Sequence, residues 1–478
     1  MGWYHKLLHR AFEPIDNASL VFFRISFGII MLWEVGRYFA YDWIKTNYIS
    51  PTFHFKFYGF EWIEPWSGNG MYWHFALIGI LAFLITTGTF YYVATALFVA
   101  AFGYFFLLDQ AYYLNHLYLV LLVSVLMCLV PAHRTFSIDA WLRPSTRSNT
   151  APAWSLWILR IQFEIMLLFA GIVKLNSDWL HLQPLTMWLG SNTDLPLIGP
   201  LFTETWVIAV AAYGVIALHL IGAPLLFWRR ARPWVFSIYV VFHLFNHLLF
   251  DIGIFPWFTI AGTLLFFEPD WPRRLTGYAL SLRRVAAHST SNNPNRVIRS
   301  GSPIDESQRP LRLALRHKVA FGFLAMLFIY QILFPLRHFL YPGNVAWTEE
   351  GHRFAWRMML RSKQTKAAFE ITHPSSKQVW YILPRDYLTA RQARKMPKNP
   401  DMVLQFAHHL AERWRVNGFD NVEVRASVWC SLNGRAASLL VDRERDLTKV
   451  KSSIWPADWI LPLREPLRPV DPKSSEFP

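Results

Sequence analysis

WSLWILRIQFEIMLLFAGIVKLNSDW, residues Trp154–Trp179, is long and apolar enough to cross a bilayer, which takes about 20 residues at a 1.5 Å rise each. The run nevertheless carries Arg160, Glu164 and Lys174. A charge at the centre of a membrane helix costs about 2.5–3.5 kcal/mol on insertion scales, so such residues mark function by default. Lys174 sits at the far end, just before Asn176 and Asp178. It either snorkels to water or is held in a protein pocket, where desolvation turns an ammonium into a usable amine base.

The whole chain repeats the pattern. It has 478 residues, 53% hydrophobic, with 23 Trp and 39 Phe. That composition suits a polytopic membrane protein with aromatic belts. The net charge of +15 is gathered in a few loops, which reads as topology and contact with anionic lipid, not nucleic acid. No zinc framework or dinucleotide glycine fingerprint is present. Cys128 and Cys430 are the two cysteines, and their separate settings argue against a disulfide.

Nine apolar stretches are expected to span: Ala18–Ala40, Met71–Gly88, Phe90–Leu108, Tyr113–Val130, Trp154–Lys174, Trp206–Trp228, Pro233–Phe250, Ile254–Phe267 and Val319–Leu340. With nine spans, every basic loop falls on one side: Lys6 and Arg10, then Arg134 to Arg147, then Arg229 to Arg232, then the Arg-rich loop 269–318. Ser177–Thr205, on the other side, has no Lys or Arg. The positive-inside rule then puts the N-terminus in the cytoplasm and the region after Leu340 outside. The middle of loop 269–318 (HSTSNNPN) has the composition of a disordered linker. The one Asn-x-Ser sequon, Asn17-Ala18-Ser19, falls on the cytoplasmic side, which favours a bacterial inner membrane, with the last region periplasmic.

Beyond Leu340 the pattern changes. Ala367–Thr372, Gln378–Leu383 and Val422–Leu432 read as strands, Ala436–Val441 pairs with the last of them around Asn433-Gly434, and Pro400–Val416 has helical spacing. The expected fold class is therefore an α-helical polytopic membrane protein of about nine transmembrane helices, residues 1–340, with a small C-terminal α+β extramembrane domain, residues 341–478.

This topology brings unusual polar residues to one outer level: Lys174, Asn115 and His116, Glu34 and Arg37, His74, and His243, Asn246 and His247. The last three sit at i, i+3 and i+4, on one helix stripe. Singly, each has a bland reading as a packing or cross-linking group. Arg24 and Arg160 are expected to pair with carboxylates or phospholipid, Glu164 being the obvious partner. A neutral lysine in a dry pocket is a general base suited to a weak acid entering from lipid, such as a quinol hydroxyl. Two other readings stand beside it. A transporter or lipid-binding protein could line a pathway with the same groups, and a metal or haem oxidoreductase could use His243 and His247, although a third ligand is not obvious.

At these residues the sequence resembles the vitamin K-dependent γ-glutamyl carboxylase family, within the wider HTTM membrane-domain group. The stretches that carry the likeness are LNHLYLVLLVS (114–124), FAGIVKLNSDWL (169–180), FHLFNHLLFDIGIFPW (242–257), YPGNVAWTEEGHRFAWRMMLR (341–361) and PDMVLQFAHHLAER from Pro400. The resemblance implies vitamin K hydroquinone, or menaquinol, as cofactor, with O2 and CO2 as co-substrates. It implies Lys174 as the base that deprotonates the quinol, assisted by His116 and Asn115. The oxygenated product then removes the γ-proton of a peptide glutamate, CO2 adds to the carbanion, and the quinone leaves as its epoxide. His243, Asn246, His247 and Trp179 would bind the cofactor, with no metal. The partners implied are a glutamate-containing protein or peptide and membrane lipid. A quinol epoxidase without carboxylation is the alternative.

Overall fold

The structure is a computed structural model that describes residues 3–250, 252–277 and 314–468. Helices occupy all nine expected intervals: α2 (Ala18–Ala40), α3 (Gly70–Thr87), α4 (Tyr91–Leu107), α5 (Asn115–Met127), α6 (Ala153–Ile172), α7 (Thr205–Ala217), α8 (Arg232–Leu249), α9 (Phe255–Thr263) and α10 (Leu315–Leu333). They follow a short basic helix, α1 (Trp3–Phe12), which the hydropathy reading missed.

Among the described residues, five helices are long and apolar enough to cross a membrane: Ala18–Ala40, Gly70–Thr87, Ala153–Ile172, Thr205–Leu225 and His317–Leu340. Tyr91–Leu107, Asn115–Met127 and Phe255–Phe266 are apolar but shorter. Helix α8 has the length of a span; Arg232, His243, Asn246 and His247 dilute its hydropathy. Most of loop 269–318, including its linker-like middle, lies outside the described residues.

The loops expected on one side meet at one end of the bundle. Strand β1 (Pro14–Asp16) pairs antiparallel with β2 (Thr150–Pro152). Asn17 accepts from Thr135 Oγ1 at 3.0 Å and donates to Ser148 O at 2.7 Å. Arg273 pairs with Asp16 at 3.0 Å and Arg232 with Glu268 at 3.2 Å. At the opposite end, the C-terminal region docks on the loops that precede α3 and α5. Gln392 donates to Asp109 at 2.9 Å, Gln405 to Lys56 O at 3.0 Å, and the Phe354 N–H to Tyr113 Oη at 2.8 Å. Between the ends, Phe23, Phe27, Phe98, Phe163 and Phe258 interlock, with centroids 5.6 Å apart for Phe27–Phe98 and 5.7 Å for Phe163–Phe258. Angled aromatic contacts of this kind add to plain area burial.

Neither buried Arg24 nor half-buried Arg160 meets the expected carboxylate. Arg24 donates to Ala132 O at 3.1 Å and Phe136 O at 2.5 Å. Arg160 donates to Leu265 O at 2.8 Å and Phe267 O at 2.9 Å. Neither meets Glu164. For Arg160 the reason is local: the turn after α9 ends a helix, and the last carbonyls of a helix have no intrahelical donor. A guanidinium fork satisfies several of them at once.

The C-terminal sheet has the order β4-β3-β5-β6, all antiparallel, with β3 (Lys363–His373), β4 (Gln378–Ile382), β5 (Glu423–Leu432) and β6 (Ser438–Leu439). Strand β3 is longer than expected because its ten-residue ladder to β5, from Lys363↔Leu432 to Thr372↔Glu423, carries the polar positions 363–366 with it. Asn433 and Gly434 both take positive φ, 51° and 80°, as a tight reversal requires. Helix α11 (Pro400–Val416) has the bounds its spacing indicated and packs on β3 through Phe406 and Phe369, 5.0 Å apart.

Candidate active site

The segment after α6 shows what each polar residue of LNSDW does. The α-helix ends at Ile172, two residues earlier than expected, so Lys174 lies on the turn that follows it. Asn176 Oδ1 accepts from the Trp179 N–H at 3.1 Å and caps a short helix, Ser177–Leu180. Its amide donates to Val173 O at 2.9 Å. Asp178 is buried and takes a two-pronged bond from Arg435, 2.6 Å to Oδ1 and 2.7 Å to Oδ2, plus one from Asn433 Nδ2 at 2.8 Å. Bidentate guanidinium–carboxylate pairs fix geometry as well as charge. Trp179 is buried and its Nε1 donates to Ala212 O on α7 at 3.0 Å. The turn is thus clamped between α7 and the C-terminal sheet.

Lys174 is 5% exposed. Its Nζ donates to Ala170 O at 2.9 Å and lies 3.5 Å from Met358 O. The Trp179 ring lies beneath it, 4.9 Å to the centroid. No carboxylate lies within ion-pair distance of it among the described residues. Burial pushes the amine down to about 7, because nothing nearby repays the desolvation of the ammonium. A neutral amine has two N–H bonds and one lone pair. Two carbonyls answer the N–H groups, leaving the lone pair free to take a proton. The indole face then steadies the resulting cation, a contact worth about 0.5–2 kcal/mol.

The other expected site residues divide into two groups. His116 and His243 lean on the same ring, Phe255, at 6.2 Å and 5.7 Å. Asn115 accepts from Tyr113 Oη at 3.0 Å. His243 is 1% exposed, and neither of its ring nitrogens has a hydrogen-bond partner. Asn246 and His247 do not join it. Asn246 is half-buried and His247 is exposed, its ring against Trp257 at 5.6 Å. The expected common stripe fails because four residues advance a helix by slightly more than one turn. The buried face of α8 follows Tyr239 and His243, and His247 rotates off its edge.

Two further residues at the outer level are occupied locally. His74 Nε2 meets Ala101 O at 2.9 Å, and Arg37 pairs with Glu34 at 2.8 Å.

Two features escaped the sequence reading. His219 is buried on a π-helical turn, Leu218–Gly222, against Gly171, where an added Cβ would meet His219 Cβ at 2.8 Å. π-turns inside helices recur at functional sites. The signal was faint: one histidine in an apolar run, opposite a glycine 48 residues earlier in the chain. The second is a buried cluster in the stretch whose Met358 faces Lys174. Glu349 accepts from Lys363 at 2.7 Å and from Arg361 at 2.6 Å and 2.7 Å. It folds the 347–363 segment into one shape.

The HTTM domain model matches residues 12–271. The model of the vitamin K-dependent gamma-carboxylase lumenal domain matches residues 316–466. No solved structure matches the chain. The first model takes in α2 to α9 and Lys174, and the second takes in α10, the Glu349 cluster, the sheet and Arg435. Together they cover both sides of the Asp178–Arg435 clamp, and the chain belongs to the vitamin K-dependent γ-glutamyl carboxylase family of integral membrane enzymes.

Proposed function

We propose that the protein carboxylates the γ-carbon of peptide glutamate, using Lys174 as the general base toward a lipid-borne quinol. The balanced reaction consumes quinol, O2, CO2 and glutamate and yields quinone epoxide, water and γ-carboxyglutamate. The observation that carries this reading is the Lys174 amine, buried with two carbonyls and an indole face as its neighbours. The residues present fit a phenolic headgroup: a free lone pair to accept its proton, an aromatic surface beside it, and His243 with orphaned ring nitrogens across Phe255. Lys174 and Trp179 would hold the reacting end, with Asn115, His116 and His243 along the wall. The quinol, in becoming its epoxide, would supply all four electrons that take dioxygen to the epoxide oxygen and water, and with them the strong base that glutamate deprotonation demands.

The protein's own part is to bind, to exclude water and to move one proton. Excluding water protects a base strong enough to remove a γ-proton. The site lies at the end of the bundle where the 1–340 and 341–478 regions meet. We place that end on the periplasmic or lumenal side, away from the basic loops, with all nine helices crossing the membrane. A peptide would then reach Lys174 from the sheet-bearing region, and the quinol from lipid.

The test is purified protein in nanodiscs with reduced vitamin K, labelled bicarbonate and a glutamate-containing peptide, scoring epoxide and fixed label separately. Both products are expected. Epoxide without label would leave a quinol epoxidase, and neither product would overturn the proposal.

A further inference from the structure

The short helix Ala390–Lys395 lies where the C-terminal region meets the bundle. Thr389 and Gln392 close its first turn as a capping box. The Gln392 amide then reaches across to Phe53 O at 2.8 Å and Asp109 Oδ2 at 2.9 Å. That grip sets the position of the residue before it. The Arg391 guanidinium lies over the ring of buried Tyr112, 5.0 Å to the centroid. Tyr112 directly precedes Tyr113, whose hydroxyl donates to Asn115 at 3.0 Å. Arg391 thus stands at the start of the stretch that carries Asn115 and His116.

It stands there without a countercharge. Its Nε is buried and has no hydrogen-bond partner, and no carboxylate lies within ion-pair distance of it among the described residues. Asp109 is taken up by Gln392, by His54 at 3.2 Å and by the Ala111 N–H at 2.8 Å. Lys395, one turn further along the same helix face, also lacks a carboxylate partner among the described residues. Like charges at that spacing destabilise a helix. The Lys395 amine is lowered to about 8, by burial first and then by Arg391, Arg361, Lys398 and Arg394. Glu349 is already engaged by Arg361 and Lys363. Cations gathered without counterions at a joint between two regions are complementary to an anion that arrives from outside.

We propose that Arg391 and Lys395 bind the side-chain carboxylate of the peptide glutamate. The guanidinium fork matches the two oxygens of a carboxylate, and a guanidinium stacked on an aromatic face keeps its fork flat and ready. When the γ-proton leaves for the base, the electron pair of its C–H bond spreads into this carboxylate. The two cations then meet the added charge where it develops. CO2 takes up the same pair as the new C–C bond. The proposal rests on the reading of the protein as a glutamate carboxylase.

Peptide binding to the protein in zwitterionic nanodiscs, without quinol, tests it. A fluorescent peptide with one glutamate should bind the wild type about 10–10²-fold tighter than the same peptide with glutamine, the worth of hydrogen bonds to a charged group. Arg391→Met should erase that preference, and Arg391→Lys should keep part of it. Equal binding of the two peptides by the wild type would overturn the proposal. So would an undiminished preference in Arg391→Met; loss of binding to anionic phospholipid vesicles in its place would assign the cations to lipid. Folding should survive, since no partner of Arg391 is stranded. If it does not, Lys395→Met makes the same comparison. In steady state, Arg391→Met should raise KM for the peptide by a similar factor and leave KM for quinol unchanged. Equal changes in both would mean a structural role and overturn the proposal. A protein that prefers the glutamate peptide through Arg391 but fixes no label would instead count against the proposed function and leave the binding site standing.

Discussion

Lys174→Ala is expected to lower quinol epoxidation and glutamate carboxylation together by about 10²–10⁴-fold, the usual worth of a positioned general base. Folding should survive, because the amine's partners are main-chain carbonyls and the face of one indole, and no buried countercharge is stranded. Lys174→Arg should be as inactive as Lys174→Ala, since a guanidinium stays protonated at any working pH. In the wild type the base form must be the neutral amine. With the amine lowered to about 7, the rate should rise with pH through that region and level above it, and it should fall as acid protonates the group. Epoxide formation across pH, with size-exclusion profiles of each variant, checks all of this. Substantial turnover by the alanine variant would remove Lys174 from the mechanism.

Arg435→Met is expected to have the largest effect on stability. Asp178 would remain buried with its countercharge gone, and breaking one partner of a buried pair costs about 3–5 kcal/mol. The loss should appear as a lower melting temperature of detergent-solubilised protein. Activity should fall as well, because Asp178 sits four residues after the lysine and its anchor is on the β5–β6 turn. The double variant Asp178→Leu/Arg435→Met should recover part of the stability, since replacing a buried ion pair by apolar groups is often neutral. A melting temperature unchanged in Arg435→Met would show that the clamp carries no load.

The comparison of sequence and structure separates what is local from what is not. Helix Pro400–Val416 was legible to the residue because proline opens it, its apolar spacing is regular, and Asn417-Gly418 closes it. The gathering of basic loops at one end was legible because charge counts survive any error in helix bounds. The lysine turn was legible as unusual, but its partner Arg435 lies 257 residues away, and no local pattern announces such a pair. Glu164 looked like a partner for Arg160 because they are one turn apart; the structure instead gives the guanidinium to carbonyls exposed by the end of α9. His243 and His247 looked equivalent because an i, i+4 spacing ignores the slight rotation that four residues add beyond one turn. His219 was invisible for the opposite reason, since an apolar helix with one histidine gives no hint of which face is buried.

Selective ¹⁵N labelling of lysine Nζ, with the Lys174 resonance assigned by its absence in Lys174→Ala, tests the central claim most directly when followed across pH. The amine should titrate with a midpoint near 7. A midpoint at the ordinary lysine value of 10.5 would mean that the ammonium is solvated in the folded protein, and Lys174 would not be the base.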